Sequence, residues 1–215
     1  MVTVPGVYAP QNDTLLLTDA LARENIRPGA KVLDLCTGCG ALALAVARRG
    51  ARVTAVDVSR RAVWNARLNA LLARQHIRVR RGDLTEPLPP EERFDLVVSN
   101  PPYVPASKRA DPVRGPGRAW DAGPDGRELL DRICDEVPGV LKRGGLLLLV
   151  HSTLSGPDET LSRLTEAGLR ANVSERARIP FGPVLRSRRS ELCARGLLRP
   201  WDESEELVII RAWHS

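Results

Sequence analysis

The tetrapeptide Asn100-Pro101-Pro102-Tyr103 combines residue types that together can hold a planar amino group. Two consecutive prolines remove two backbone donors and force an extended turn, so their carbonyl groups can point into a cleft. Asn100 adds a side-chain acceptor, and Tyr103 adds a flat aromatic face. Because the tetrapeptide follows a predicted strand, Phe94–Ser99, it indicates a site where the two hydrogens of an N–H₂ group meet two acceptors beside a ring. Taken alone, the tetrapeptide also fits a proline-rich turn without a ligand.

A second group of chemically capable residues is the loop Asp34–Gly40, which follows a predicted strand and opens a helix. Gly38 and Gly40 allow close approach of a ligand to the backbone, and the helix start offers free N–H donors. Two cofactors compete for such a loop, a nicotinamide dinucleotide and S-adenosylmethionine. The dinucleotide pattern requires a third glycine where Ala43 stands. Asp34 would repel a pyrophosphate, whereas its carboxylate suits the cationic amino group of S-adenosylmethionine.

Two further acidic residues end the next predicted strands. Asp57 can take both hydroxyls of a ribose, although a helix N-cap is the alternative, a role that Ser59 could fill instead. Asp83 could accept the amino group of adenine, with Leu84 packed on the ring, although a surface turn fits this pair equally well. Carboxylates at three consecutive strand ends share one edge of a parallel sheet, where open α/β folds bind ligands. Together they favour S-adenosylmethionine.

The elements that must position these residues alternate between strand and helix patterns. This alternation predicts an α/β fold with a doubly wound, Rossmann-like, mainly parallel seven-stranded sheet, and the last two strands can form an antiparallel hairpin at one edge. The predicted strands are Lys31–Leu35, Arg52–Asp57, Ile77–Arg81, Phe94–Ser99, Gly145–His151, Arg170–Ile179 and Glu206–Trp213. The predicted helices are Asp13–Arg23 (N-cap Asn12 or Asp13), Ala41–Arg49, Arg60–Arg74, Gly126–Val140 and Asp158–Ala167, with a short helix within Phe181–Pro200.

The length of 215 residues predicts a single domain over residues 1–215, with an entry segment and helix at 1–30 and an Arg-rich insertion at 176–200. No apolar run is long enough to span a bilayer, and no signal peptide is recognisable. The four cysteines are scattered, so a reducing cytoplasm is the expected compartment. Cys36 and Cys39 fit small residues of a glycine loop better than a redox pair or half of a zinc site, and no metal is expected.

The net charge of +6 is concentrated near the C-terminus. Of the 32 basic residues 29 are arginines, a skew typical of GC-rich codon usage. Between Arg170 and Pro200 eight arginines face two glutamates, which alone gives +6. A solvated basic helix is one interpretation. The other is a surface around Arg186, Arg188 and Arg189 that contacts an acidic or nucleic-acid partner, or a lid over the substrate cleft.

The Asp-x-x-Thr-Gly-x-Gly loop, the acidic strand end and the Asn-Pro-Pro-Tyr tetrapeptide together resemble class I S-adenosylmethionine-dependent amino-methyltransferases. Within that class, the sequence resembles the HemK-like N5-glutamine methyltransferases of peptide-chain release factors. Val7–Thr14 is similar to the entry segment of the short eukaryotic and archaeal form, and Ala119–Glu128 is similar to the segment after the catalytic loop. The resemblance covers roughly Tyr8 to His151, without the N-terminal helical domain of the usual bacterial enzyme.

The resemblance implies roles for the cofactor residues. In the family, the residues matching Asp34 and Gly38 face the methionine end of S-adenosylmethionine. Those matching Asp57 and Asp83 hold ribose and adenine, and the residue matching Thr14 closes over the cofactor. Each of these positions has the expected residue type in this sequence.

The resemblance also implies how the acceptor is held. The residues matching Asn100 and Tyr103 orient the target nitrogen, and the carbonyl of Pro101 would take its second hydrogen. A glutamine amide of a protein such as a release factor is therefore the expected acceptor. An adenine N6 of DNA or RNA and a small-molecule amine or amide remain alternatives, as does a non-catalytic S-adenosylmethionine-binding module. The sequence leaves open the oligomeric state and the need for a partner subunit.

Overall fold

The computed structural model describes residues 1–106 and 122–214, which build one seven-stranded sheet with helices on both faces. The strands are β1 (Lys31–Leu35), β2 (Arg52–Asp57), β3 (Ile77–Arg81), β4 (Phe94–Ser99), β5 (Leu141–Ser152), β6 (Leu169–Pro180) and β7 (Ser204–His214). The α-helices are α1 (Asn12–Arg23), α2 (Ala41–Ala47), α3 (Arg60–Leu72), α4 (Glu128–Glu136), α5 (Pro157–Glu166) and α6 (Pro183–Ala194).

The sheet confirms the predicted fold class. Its strand order is β3-β2-β1-β4-β5-β7-β6, and strands β1 to β5 pair in parallel. Strand β7 lies between β5 and β6 and is antiparallel to both, so the predicted hairpin is present with β6 at the edge. Because Leu207 of β7 pairs with Ser152 at the end of β5, the beginning of β7 lies at the carboxyl edge of the parallel strands.

Alternate residues of the central strands point to two hydrophobic clusters, one on each face of the sheet. In β1, Leu33 and Leu35 join the cluster that contains the apolar residues of α4, α5 and α6. Val32 joins the cluster formed with α1, α2 and α3. These two layers fix the strand ends that carry the candidate site.

Several predicted boundaries differ from the observed ones by one or two residues, and three other differences have a local explanation. The predicted helix over residues 126–140 is an α-helix only to Glu136, followed by a 3₁₀ turn that contains Pro138, a residue without a backbone donor. Strand β5 begins at Leu141, four residues before the predicted start at Gly145, and so includes Gly144. The N-cap of α1 is Gln11 rather than Asn12 or Asp13, because the Asp13 carboxylate binds other groups. In the described ranges, no helix is long and apolar enough to cross a membrane.

Candidate active site

A cavity of about 930 Å³ lies at the carboxyl edge of the sheet, between the parallel strand ends and the beginning of β7. Eight of the ten residues that the sequence predicted for the site line this cavity. They are Thr14, Gly38, Asp57, Asp83, Leu84, Asn100, Pro101 and Tyr103. The two others, Asp34 and Gly40, lie beneath the wall of the cavity and shape the loop that forms it.

Asp34 is fully buried under the glycine loop. Its Oδ2 accepts hydrogen bonds from Thr37 Oγ1 at 2.6 Å and from the backbone N–H of Ala43 at 3.0 Å, which fixes the loop to the start of α2. Burial raises the pKa of Asp34 to about 7. Its Oδ1 has no partner among the described residues. Direct contact of Asp34 with a ligand amino group therefore stays a prediction.

Gly40 is needed for both its backbone conformation and its packing. Its φ of +85° is one that side chains rarely adopt, and a Cβ there would lie 3.2 Å from that of Ala66 on α3. The glycine thus lets α3 approach the loop closely.

Asp57 ties the glycine loop to the turn after β2. Its Oδ2 accepts from the backbone N–H of Gly38 at 2.9 Å, and its Oδ1 accepts from that of Ser59 at 2.8 Å. The Ser59 side chain caps α3 by accepting a hydrogen bond from the N–H of Ala62. Asp57 is therefore not needed as the cap, and it lines the cavity. The role of Asp57 toward a ribose stays a prediction.

Asp83 forms an ion pair with Arg132, a residue that the sequence patterns did not single out. Arg132 of α4 donates to both carboxylate oxygens of Asp83 at 3.0 and 3.1 Å and also binds Glu136 at 3.0 Å. The ion pair joins the end of β3 to α4. Leu84 beside it is buried at a φ of +43°, an unusual backbone conformation for a branched side chain.

The end of the cavity at Asn100, Pro101 and Tyr103, predicted to hold the methyl acceptor and called the acceptor end below, is organised by Asp13, which the sequence assigned only as a helix cap. Its Oδ2 accepts hydrogen bonds from the hydroxyls of Tyr8 at 2.6 Å and Tyr103 at 3.1 Å. Its Oδ1 accepts from Thr14 Oγ1 at 3.1 Å. The amide nitrogen of Asn100 donates to that same Thr14 oxygen at 3.2 Å, so the amide oxygen is oriented for a different donor. Asp13 thus fixes Tyr103 directly and Asn100 through Thr14.

A second carboxylate, Glu205 at the beginning of β7, lines the same cavity. Burial raises the pKa of Glu205 to about 7, and the nearby charge of Asp13 adds to this effect. Burial, together with Asp13 and Glu205, also raises the pKa of Tyr103 well above its ordinary value. No pattern in the sequence singled out Glu205, which lies one residue before the predicted strand Glu206–Trp213.

Helix α6, which contains most of the predicted basic surface, packs against the acceptor end. Gly182, just before α6, and Leu185 line the cavity. Arg188 donates to the carbonyl of Pro105 at 3.3 Å, and Arg195 donates to the carbonyl of Pro124. These arginines hold the two flanks of the loop that joins β4 to α4. Positions 119–121, including Trp120, of the segment singled out in the sequence lie outside the described residues.

This sheet order, with acidic residues at the parallel strand ends around one cavity, is the Rossmann-like fold of class I methyltransferases. The chain belongs to the family described as the methyltransferase small domain, whose sequence model matches residues 1–114.

Two named relatives are similar to this chain over most of its length. The chain is 33% identical over 210 residues to a Methanocaldococcus jannaschii protein named as a candidate protein N5-glutamine methyltransferase, covering 97% of this chain and 92% of that protein. It is 39% identical over 171 residues to the release factor glutamine methyltransferase of Mycolicibacterium smegmatis, covering 76% of this chain and 58% of that protein. The match thus spans little more than half of the bacterial relative.

One solved structure is similar to this chain over nearly its whole length. It is the Mtq2–Trm112 complex of E. cuniculi, described as responsible for methylation of the translation termination factor eRF1. The TM-score is 0.69 at 30% identity, with 98% of this chain and 99% of that chain covered.

Proposed function

We propose that this protein is an S-adenosylmethionine-dependent methyltransferase that modifies the side-chain amide of a glutamine in a protein release factor. The observation that carries the proposal is the acceptor end of the cavity, where Asn100, Pro101 and Tyr103 lie together and a buried carboxylate fixes two of them. The M. jannaschii and M. smegmatis relatives, named for this glutamine chemistry, support the acceptor class.

The cavity fits S-adenosylmethionine on the chemistry of its lining. Asp57 would hold the ribose hydroxyls, and the backbone of Gly38 would approach the methionine end. Leu84 would cover one face of adenine, with Asp83 at its edge. Thr14 would close over the ligand from α1, and Oδ1 of the buried Asp34, which has no hydrogen-bond partner within the described ranges, leaves one acceptor beneath the loop. When bound, the cofactor supplies an electrophilic methyl group on a sulfonium.

The residues of the chain then overcome the weak nucleophilicity of an amide nitrogen. Its lone pair is conjugated with the carbonyl, so the nitrogen must be held about 3–3.5 Å from the methyl carbon with the lone pair aligned. The amide oxygen of Asn100 and the carbonyl of Pro101 would each accept one N–H. These two hydrogen bonds favour a pyramidal nitrogen and disperse the positive charge that develops on it. The Tyr103 ring would cover the amide plane.

The docking surface for the substrate would include α6. Arg186 on this helix is exposed, and Arg189 donates to the carbonyl of Pro200 near the end of the basic segment. Arg188 is bound to the loop flank at Pro105, so it would contribute charge and loop position together. An acidic face of the release factor is the partner that this charge favours.

A partner subunit is a second part of the proposal. The E. cuniculi relative was solved as a complex with Trm112. In this chain, Trp64, Leu71 and Leu72 of α3 are exposed large apolar side chains near the edge strand β3. Such a surface is suited to a protein contact. Co-purification of a tagged chain from its own cells, with and without a Trp64→Ala change, would test it.

The direct test of the function is transfer of labelled methyl groups. The purified protein is incubated with labelled S-adenosylmethionine and a release factor that contains a Gly-Gly-Gln segment. We expect label in the factor, and no label when that glutamine is replaced by alanine or when the enzyme is the Asn100→Ala variant. Robust labelling of adenine in an oligonucleotide, with none in the factor, would establish the nucleic-acid alternative instead.

A further inference from the structure

We propose that Glu205 takes part in the acceptor chemistry: its carboxylate shares one N–H of the target amide with the carbonyl of Pro101 and then takes the proton that leaves the nitrogen after methylation. The inference rests on the proposed function, because it assigns a role toward a glutamine amide. It adds a residue of the C-terminal strand to the predicted acceptor residues Asn100, Pro101 and Tyr103, which lie in the N-terminal half of the chain.

The topology brings Glu205 to the reacting end of the sheet. It is the second residue of β7 and pairs with Ile179 of β6. Because β7 is antiparallel to β5, its first residues lie beside Ser152, at the carboxyl end of the parallel strands. Asn100 follows β4, the strand next to β5, at that same edge. Glu205 and Asn100 line one cavity.

The hydrogen bonding of Glu205 leaves one oxygen for a ligand. The residue is only 9% exposed. The neighbouring Ser152 side chain lowers the pKa of the carboxylate, whereas Oε2 is buried without a hydrogen-bond partner among the described residues. A buried carboxylate oxygen without a donor is costly, so its persistence at a ligand cavity points to a donor that arrives with the substrate.

The neighbouring carboxylate is already occupied. Asp13 accepts hydrogen bonds from Tyr8 and Tyr103 on one oxygen and from Thr14 on the other. Of the two carboxylates at the acceptor end, Glu205 is therefore the one with an oxygen left for an incoming N–H.

The proton released in methyl transfer gives such a group a function. The nitrogen lone pair forms the new N–C bond while the S–C bond to the methyl group breaks and its electron pair stays on sulfur. The nitrogen is then cationic and must lose one proton to restore a neutral N-methyl amide. The carboxylate of Glu205 would take this proton and later pass it to water, with no other reactant required.

The ionisation of Glu205 sets the expected pH dependence. The titratable groups that face it are Asp13 from α1, Tyr8 from the entry segment and Tyr103 from the loop after β4. Burial, followed by the charge of Asp13, raises its pKa to about 7. Only the ionised form accepts a proton, so its contribution should be absent well below pH 7 and complete well above it.

The test compares Glu205→Gln with wild type on a Gly-Gly-Gln peptide between about pH 5.5 and pH 8.5. The matched control is Glu206→Gln, because Glu206 is the next residue of β7 and pairs with Arg176 at the surface. We expect kcat of Glu205→Gln to match wild type within about twofold at the acidic end and to fall at least about tenfold below it at the basic end. Glu206→Gln should follow wild type throughout.

Two further measurements separate this role from damage to the fold. Affinity for S-adenosylhomocysteine, measured by calorimetry, should stay within about threefold of wild type in Glu205→Gln. Its melting temperature at high pH should not fall, because glutamine removes a buried charge. A wild-type-like pH profile in Glu205→Gln, or an equal loss of rate at every pH, would overturn the inference alone. Failure of the wild-type enzyme to label the peptide or the release factor would refute the proposed function and this role with it.

Discussion

Replacing Asp13 tests whether the acceptor end of the cavity is preorganised as the hydrogen bonds indicate. Asp13→Ala removes the common acceptor of two tyrosine hydroxyls and of Thr14, and Thr14 in turn holds Asn100. Because none of these bonds needs a bound ligand, they position the acceptor residues before the substrate arrives. The loss should therefore appear in the rate of methyl transfer more than in cofactor affinity.

The size of the effect follows from the bonds lost. A hydrogen bond to a charged group contributes about 1.5–3 kcal/mol, and Asp13 is only 4% exposed, so water replaces it poorly. If the transition state loses the equivalent of one such bond, kcat falls about 10- to 150-fold. Tyr103→Phe, which removes only the hydroxyl that donates to Asp13, should cause a smaller loss of the same kind.

The assay is the initial rate of labelled methyl transfer to a Gly-Gly-Gln peptide, with the affinity for S-adenosylhomocysteine measured in parallel. Asp19→Ala is the matched control, because Asp19 is an exposed carboxylate on the same helix. The reasoning is refuted if Asp13→Ala keeps more than about half of the wild-type kcat, or if its only defect is weaker cofactor binding.

Three further changes test other parts of the site. Asp57→Ala should weaken cofactor affinity about 10- to 150-fold by loss of a charged ribose acceptor, and unchanged affinity in calorimetry would contradict that role. Asn100→Ala should reduce kcat far more than it changes cofactor affinity, since its contact develops in the transition state, and near-normal turnover would count against the acceptor assignment. Neutralising Arg186, Arg188 and Arg189 together should raise KM as high salt does, with little change in kcat. Tight RNA or duplex binding with a steep salt slope, measured without cofactor, would favour a nucleic-acid substrate.

Local sequence patterns were sufficient to predict most strands of the sheet. Four of the predicted strands have the observed bounds: Lys31–Leu35, Arg52–Asp57, Ile77–Arg81 and Phe94–Ser99. Three of them have the nearly continuous apolar residues of a buried parallel strand, whereas Ile77–Arg81 alternates apolar and basic residues, as suits the edge strand β3. The predicted bounds were less accurate where glycines lie within an otherwise apolar strand. Strand β5 continues through Gly144 and Gly145, residues that usually interrupt a strand, because they lie in an irregularity where the register with β4 shifts between the pairs Phe94–Leu141 and Leu96–Leu146.

The sequence also determined that several candidate residues would share one cavity. Asp57, Asp83 and Asn100 each follow a strand, and the carboxyl ends of parallel strands meet at one edge whatever the details of packing. Thr14 reaches that edge from α1, a placement that the family resemblance implied and the residue pattern alone did not.

Only the tertiary structure decided the partners of these groups. It paired Asp83 with Arg132, buried Asp34 beneath its own loop, joined Asp13 to two tyrosines and brought Glu205 to the acceptor end. The physical reason is that a hydrogen-bond partner is set by distance in space, and these partners are separated in sequence by as many as 90 residues, as for Tyr103 and Asp13. No local period or turn signal encodes such a pair, whereas the packing of helices on the finished sheet does.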